Sequence, residues 1–146
     1  VSLNDVIERV ANRHQALAER RDIDFNWATP ADDIVVEADS TLVEQAVSNC
    51  VQNAIQYNDA GGHVGLVLDE TDDGFEIRIV DDGPGVPDEM LDDMTRRSIR
   101  DDEARSRRPE GQGFGLAIAG RVIDAHEWSI SFANQPDGGL EVVIRG

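Results

Sequence analysis

The sequence predicts an α+β fold: a two-layer sandwich with about three helices on one face of a mixed, mostly antiparallel sheet of about five strands. Two observations carry that reading. Apolar residues recur at helical spacing in three separate stretches, and they alternate with a period of two in short stretches that pair across turns. Hairpins grouped with helices, and no internal repeat, point away from a repeat architecture.

The elements follow in order. Val6, Ile7, Val10, Ala11, Leu17 and Ala18 predict a helix over about 4–20, with Asn4 or Ser2 able to cap it. Asp24–Trp27 and Ile34–Glu37 read as two short strands separated by a turn at Pro30 and Asp32-Asp33. Asp39 and Ser40 resemble a cap, and a helix over about 40–57 carries a wide apolar stripe of Leu42, Val43, Ala46, Val47, Cys50, Val51, Ala54 and Ile55. Alternation of Val64, Leu66, Leu68 and then of Phe75, Ile77, Ile79 predicts a hairpin of strands over about 63–69 and 75–81. Residues 88–112 are polar and poorly periodic and read as a short helix and a lid. A helix over about 113–125 and strands over about 128–133 and 140–145 complete the chain.

Composition narrows the function. A length of 146 residues with 40% apolar content spread throughout fits one folded domain, 1–146. No run approaches the roughly 18 apolar residues that span a bilayer, and no cationic apolar leader opens the chain, so a soluble domain, or the soluble piece of a larger protein, is expected. Arg145-Gly146, directly after a strand pattern, reads as a domain edge. A net charge of −17 repels nucleic-acid phosphates. All thirteen basic residues are arginine, which excludes a phosphate-binding loop ending in lysine, the catalytic lysine of a protein-kinase fold and Schiff-base chemistry. Cys50, the single cysteine, excludes an internal disulfide and a thiolate metal cluster, and its apolar surroundings mark it as a core thiol.

Three groups of residues carry chemistry. Asp81 ends a strand just before Gly83 and Gly85; its carboxylate can accept a hydrogen bond from an exocyclic amine, and the glycines let a flat ring approach the backbone. Taken alone the cluster is also an ordinary turn with solvated acids. Gly111, Gly113 and Gly115 alternate at a helix start, where successive main-chain N–H groups and the helix dipole attract anions without a lysine. A flexible loop running into a helix has the same composition. Asn49, Asn53 and Gln56 fall at i, i+4 and i+7 along one edge of the second helix, with Tyr57 next, and the Asn53 amide oxygen suits Mg2+. Such residues are otherwise solvated or capping groups.

Together, Asn49-x-x-x-Asn53-Ala54-x-x-Tyr57, Asp81-x-Gly83-x-Gly85 and Gly111-x-Gly113-x-Gly115-Leu116 resemble the catalytic and ATP-binding domain of bacterial two-component sensor histidine kinases, within the superfamily of gyrase, mismatch-repair and chaperone ATPases. The resemblance covers essentially the whole chain and implies the Bergerat ATP-binding fold, with an ATP lid at about 88–112. It implies ATP and Mg2+ as ligands. Asn53 would coordinate the metal, Asn49 would position the γ-phosphate, and Asp81 would bond the adenine amine. Gly83, Gly85 and Val86 would shape the base pocket, and Tyr57 would pack beside the nucleotide. Gly111, Gln112, Gly113, Phe114, Gly115 and Leu116 would line the phosphate side, with Gln56 and Arg96 at positions that are commonly basic in relatives.

The implied reaction is transfer of the γ-phosphate to a histidine on a separate dimerisation and phosphotransfer domain of the same kinase, with a response regulator downstream. The implied place is the cytoplasm, in a parent protein that is free to be anchored in the inner membrane. The isolated domain is expected to be monomeric and to make no direct membrane contact. Hydrolytic relatives carry a glutamate base where Asn49 stands. An amide is a poor base, which favours phosphotransfer over hydrolysis.

Departures from the family pattern define the rivals. Gln56 lacks the usual positive charge, Leu91 and Met94 stand where a phenylalanine is usual, Phe114 replaces a small or aliphatic residue, and Glu127-Trp128 replaces two glycines. Arg96, Arg97, Arg100, Arg105, Arg107 and Arg108 concentrate positive charge in the lid, where they can compensate for Gln56 or pair locally with acids. A nucleotide-binding pseudokinase or scaffold is one alternative, and a gyrase- or chaperone-type ATPase another. None of His14, His63 and His126 has the setting of a phosphoacceptor, so all three are expected to be structural or surface residues.

Overall fold

Alternation gives the sheet one apolar face, and among the described residues three helices cover it. The computed structural model describes residues 1–85, 87 and 111–146, with the backbone alone for 111–117. Helix α1 spans Leu3–Arg20, strand β1 Asp24–Ala28, helix α2 Ser40–Gln56, strand β2 His63–Glu70 and strand β3 Phe75–Asp81. Helix α3 spans Gly111–Ala125, followed by β4 (Ser129–Asn134) and β5 (Leu140–Arg145). The strand order is β1-β2-β3-β5-β4. Only β1 and β2 run parallel, bridged by the α2 crossover; the other pairs are antiparallel.

Helix starts follow side-chain chemistry. The Ser2 hydroxyl accepts the Asp5 N–H at 3.2 Å and caps α1, which settles the choice between Ser2 and Asn4. The Asp39 carboxylate accepts the Leu42 N–H at 3.1 Å and caps α2. The inward residues of the sheet, Phe25, Val64, Leu66, Leu68, Phe75, Ile77, Ile79, Phe132, Val142 and Ile144, form one core with Val6, Ile7, Val10, Val43, Val47, Val51 and Ile55 of the helices. Cys50 lies inside that core, and burial pushes its thiol up to about 12, as an inert packing residue requires.

Three expectations are corrected. Ile34–Glu37 is no strand: Val35 makes a single bridge to Ser2, flanked by Leu3 N–H to Ile34 O and Val36 N–H to Val1 O. The partner chain turns helical at Leu3, so the pairing has nowhere to continue. Leu42, assigned to the apolar stripe, is 39% exposed at the first turn of α2. Helix α3 begins at Gly111, so Gly111 and Gln112 belong to the helix and not to the lid. Of the expected lid, 88–110 lies outside the described residues.

One long-range contact fixes the helix layer. His126 follows the end of α3; its Nδ1–H donates to Val122 O at 2.8 Å, and its Nε2 accepts the Asp39 N–H at 3.1 Å. The end of α3 therefore meets the start of α2. The two helices pack side by side and antiparallel, which brings the glycine-rich start of α3 to the end of α2.

Ile79 sits on the central strand, between Leu66 and Val142, and is 1% exposed. Ile79→Ala is expected to cost about 2–5 kcal/mol by transfer and cavity terms, read from urea unfolding; a loss under about 1 kcal/mol would contradict this core assignment.

Candidate functional site

Three chain segments come together at one end of the sandwich: the end of α2, the end of β3 and the start of α3. Asn49 and Asn53, one helical turn apart on α2, are both half-buried, whereas Gln56 is exposed and Tyr57 is 43% exposed. The Asn49 Nδ2 is buried and has no hydrogen-bond partner. A buried donor in that state costs roughly 1–3 kcal/mol, so an incoming acceptor oxygen is favoured there.

Asp81 is the last residue of β3 and lies opposite Val64. Its Oδ1 accepts the Gly83 N–H at 3.0 Å and the Leu140 N–H at 3.3 Å. Both of these bonds reach the same oxygen, which orients the carboxyl group and leaves Oδ2 outside them. Burial pushes this carboxyl above its ordinary range. The two main-chain N–H groups pull it back, and the neighbouring Asp82 charge adds to the rise. Gly139, with φ +98°, lets the β4–β5 turn lie directly on the Asp81 carbonyl; a Cβ there would collide with it.

The turn beyond Asp81 is tied to the end of α2 by residues that the motif reading missed. Asn58 is 9% exposed. Its Nδ2 donates to His63 O at 3.1 Å and to Asp82 Oδ1 at 3.2 Å, while its Oδ1 accepts the Asp59 N–H at 2.8 Å. Asp82 Oδ1 also accepts the His63 N–H at 2.7 Å, and Asp82 Oδ2 accepts the His63 Nδ1–H at 2.8 Å. The His63 main-chain and ring N–H groups, with Asn58, hold the Asp82 carboxyl down at about 2. A polar residue just past a helix end, followed by a glycine pair, was the available signal for Asn58. Nothing in the sequence paired His63 with Asp82.

The other predicted residues divide clearly. Gly83 is buried at the turn and Gly85 follows with φ +70°. Gly111, Gln112, Gly113, Phe114, Gly115 and Leu116 form the first two turns of α3, where the leading N–H groups have no intrahelical acceptor. Val86 and Arg96 lie outside the described residues, as do the other lid arginines. One cation that the motifs did not flag reaches the end of α2: Arg21 Nη2 donates to Gln56 O at 2.9 Å, at the negative pole of that helix. His14 is buried, donating from Nδ1 to Val10 O at 2.9 Å and accepting the Ser48 hydroxyl at Nε2, 3.2 Å away, in keeping with a structural role.

Among the described residues no three His, Cys, Asp or Glu side chains converge on a metal, and no helix is long and apolar enough to cross a membrane. A hard cation at this end would rely on amide oxygen, ligand oxygens and water, a donor set that suits Mg2+. The orphaned Asn49 donor, the oriented Asp81 carboxyl and the N-terminal pole of α3 bring a donor, an acceptor and a site of positive potential to one end of the sandwich.

Comparison with known proteins identifies the family and the fold. Residues 38–145 match the family model described as histidine kinase-, DNA gyrase B- and HSP90-like ATPase. Over 102 residues, 70% of this chain and 22% of the relative, the sequence is 40% identical to the sensor histidine kinase CpxA of Escherichia coli strain K12. The catalytic domain of histidine kinase ThkA, in a nucleotide-free form, superposes with a TM-score of 0.82 at 26% identity, covering 99% of this chain and 91% of that one. The mycobacterial sensor histidine kinase MprB gives 0.77 at 30% identity, covering 99% and 93%. The chain spans about a tenth to a third of the length of the curated relatives it matches.

Because the folded Asp82 carboxyl is depressed from 3.8 to about 2, its stabilising contribution is present above 3.8 and is lost as pH falls toward 2. Asp82→Asn is expected to flatten that part of the acid limb in a pH series of thermal melts. An acid limb identical to that of the unsubstituted chain would contradict the described hydrogen bonds.

Proposed function

Because the chain belongs to the family of histidine kinase-, DNA gyrase B- and HSP90-like ATPases, we propose that it is the ATP-binding catalytic domain of a sensor histidine kinase, phosphorylating a histidine on a separate dimerisation domain and signalling through a response regulator. The observation that carries this reading is Asp81: a half-buried carboxyl whose Oδ1 is fixed by two main-chain N–H groups. Held this way, Oδ2 accepts from the exocyclic amine of adenine and repels the carbonyl oxygen that guanine presents at the same place.

The chain's own residues act mainly by binding and orienting. Asn49 donates its unpartnered amide hydrogens to phosphate oxygen. The first N–H groups of α3 meet the anionic tail at the positive end of the helix dipole. Mg2+, when bound, neutralises charge on the phosphates, and the Asn53 amide oxygen is the side-chain ligand assigned to it. Asn49 does not serve as a strong base, which suits an acceptor that brings its own imidazole nitrogen and disfavours activation of water. The lid, with its six arginines, is assigned to cover the phosphates and exclude water. The kinase domain works in the cytoplasm, where ATP is supplied, and stays monomeric apart from its dimerisation partner.

A second reading has one specific observation in its favour. Gln56 is exposed and uncharged where related kinases carry a cation, as a nucleotide-binding scaffold without chemistry would permit. Mixing the domain with its dimerisation partner and labelled ATP separates the two. Phosphohistidine supports the kinase; measurable ATP binding without it supports the scaffold.

Calorimetry with ATP, ADP and GTP, with and without Mg2+, tests the site directly. Asp81→Asn is expected to weaken ATP binding by about 10- to 100-fold, the effect of mismatching one buried hydrogen bond, without lowering thermal stability; unchanged affinity would sink the base-pocket assignment. Asn53→Ala is expected to abolish the Mg2+ dependence of ATP binding, and an unaltered Mg2+ titration would contradict this choice of ligand.

A further inference from the structure

The end of β2 next to the base-reading carboxyl carries a group with no part in the reading above. His63 opens β2, with its side chain 62% exposed on the sheet face away from the helices. Its Nδ1–H donates to Asp82 Oδ2 at 2.8 Å, and its Nε2 lies 3.7 Å from Asp24 Oδ2 on β1. Asn58, on the buried side, ties the same Asp82 to the turn after α2. Asp81 is the next residue back along the chain, and alternation turns its side chain to the helix side. A small open cavity of about 230 Å³, lined by Asn26, His63, Gly65, Val80 and Asp82 among others, leaves this assembly in contact with water.

We propose that Asn58, His63 and Asp82 form a clamp that positions the Asp81 carboxyl and so determines the preference for adenine over guanine, with the protonation state of His63 setting how tightly the clamp holds. This deepens the nucleotide reading and rests on it. The clamp acts on Asp81 through the backbone. Asp82 is held from two sides, by Asn58 and by both N–H groups of His63, which fixes the peptide between Asp81 and Asp82. Gly83 must pass close to Asn58: a Cβ there would come within 2.9 Å of Asn58 Oδ1 and 3.2 Å of Asp81 Oδ1. The Gly83 N–H that orients Asp81 is therefore placed by the same packing. His63, Asn58 and Asp82 are positioning residues, touching the base only through Asp81.

The charged groups around the imidazole are Asp82 after β3 and Asp24 on β1, both acidic; Asp59 lies in the turn beside Asn58, and Asp81 faces the other side. The hydrogen bond and charge of Asp82, with a smaller part from Asp24, push the His63 imidazole above its ordinary value of 6.5. With the folded value raised, the extra stabilisation of the clamp is complete below 6.5 and fades as pH rises through the folded value. The protonated ring also neutralises Asp82 and relieves its repulsion of Asp81, which keeps the Asp81 carboxylate available to accept.

The test is the ratio of ATP to GTP affinity, measured by calorimetry on the 146-residue chain between about pH 6 and about pH 8.5. Both nucleotides carry the same polyphosphate, so titration of the tail cancels in the ratio. The unsubstituted chain is expected to lose about two- to five-fold in the ratio as pH rises, the size an exposed ion pair supports. His63→Gln retains a neutral donor and is expected to give a low ratio that does not change with pH. Asp82→Asn, checked by its melting temperature, is expected to remove the pH response in the same way. A pH-independent ratio in the unsubstituted chain, or an undiminished response in His63→Gln, overturns the clamp and leaves nucleotide binding standing. No ATP binding by the unsubstituted chain overturns the nucleotide assignment, and the clamp with it.

Discussion

The antiparallel packing of α2 against α3 is the constraint on which the site depends. Neither helix carries a pocket by itself. Only when the start of α3 lies against the end of α2 are the leading N–H groups of one brought to the end of the helix that carries the asparagine edge. The arrangement is closed at the far end by the His126 ring, which donates to its own helix and accepts the first exposed N–H of α2. Satisfying an orphan amide at one end of the helix pair thus sets the geometry some 20 Å away, a distance that follows from about 1.5 Å of rise per residue along α2.

Charge shapes the rest. A chain with net charge −17 is a poor host for a triphosphate unless positive potential is concentrated where it is needed. Among the described residues, Arg9 and Arg13 are both engaged by Glu44, and Arg78 and Arg145 by Glu76. Those pairs occupy the α1–α2 surface and the outer face of the sheet. Beside Arg21 and His63, the start of α3 adds positive potential at this end of the sandwich, supplied by main-chain groups that no pattern of side-chain charges reveals. Glycine at three positions keeps side chains from covering it.

Much of this was legible in the chain. Periods of 3.6 and 2 located α1, α2, β2, β3, β4 and β5 nearly to the residue, because each buries one face and the burial requirement is written directly into the spacing. Asp81 stood out at the end of a strand pattern, and the asparagines because they line up along one edge beside the apolar stripe of α2. Ile34–Glu37 misled for the same reason: its residues alternate suitably, yet a strand also needs a partner, and the available partner becomes helical after one bridge. Leu42 has the right identity and the right period, but it falls in the first turn of α2, at the edge of the apolar stripe, and stays 39% exposed.

The sequence by itself determined which stretches carry an apolar face, roughly where each helix and strand lies, and which polar side chains stand beside the apolar pattern. Local sterics and hydrophobic period act over a few residues, and a linear string records them completely. The strand order β1-β2-β3-β5-β4, the contact of Gly139 with Asp81, and the meeting of Asn58, His63 and Asp82 were decided only by the tertiary structure. Those contacts join residues 5 to 58 positions apart, and what selects them is the packing of two whole layers, an energy spread over the entire core that no local stretch of chain encodes.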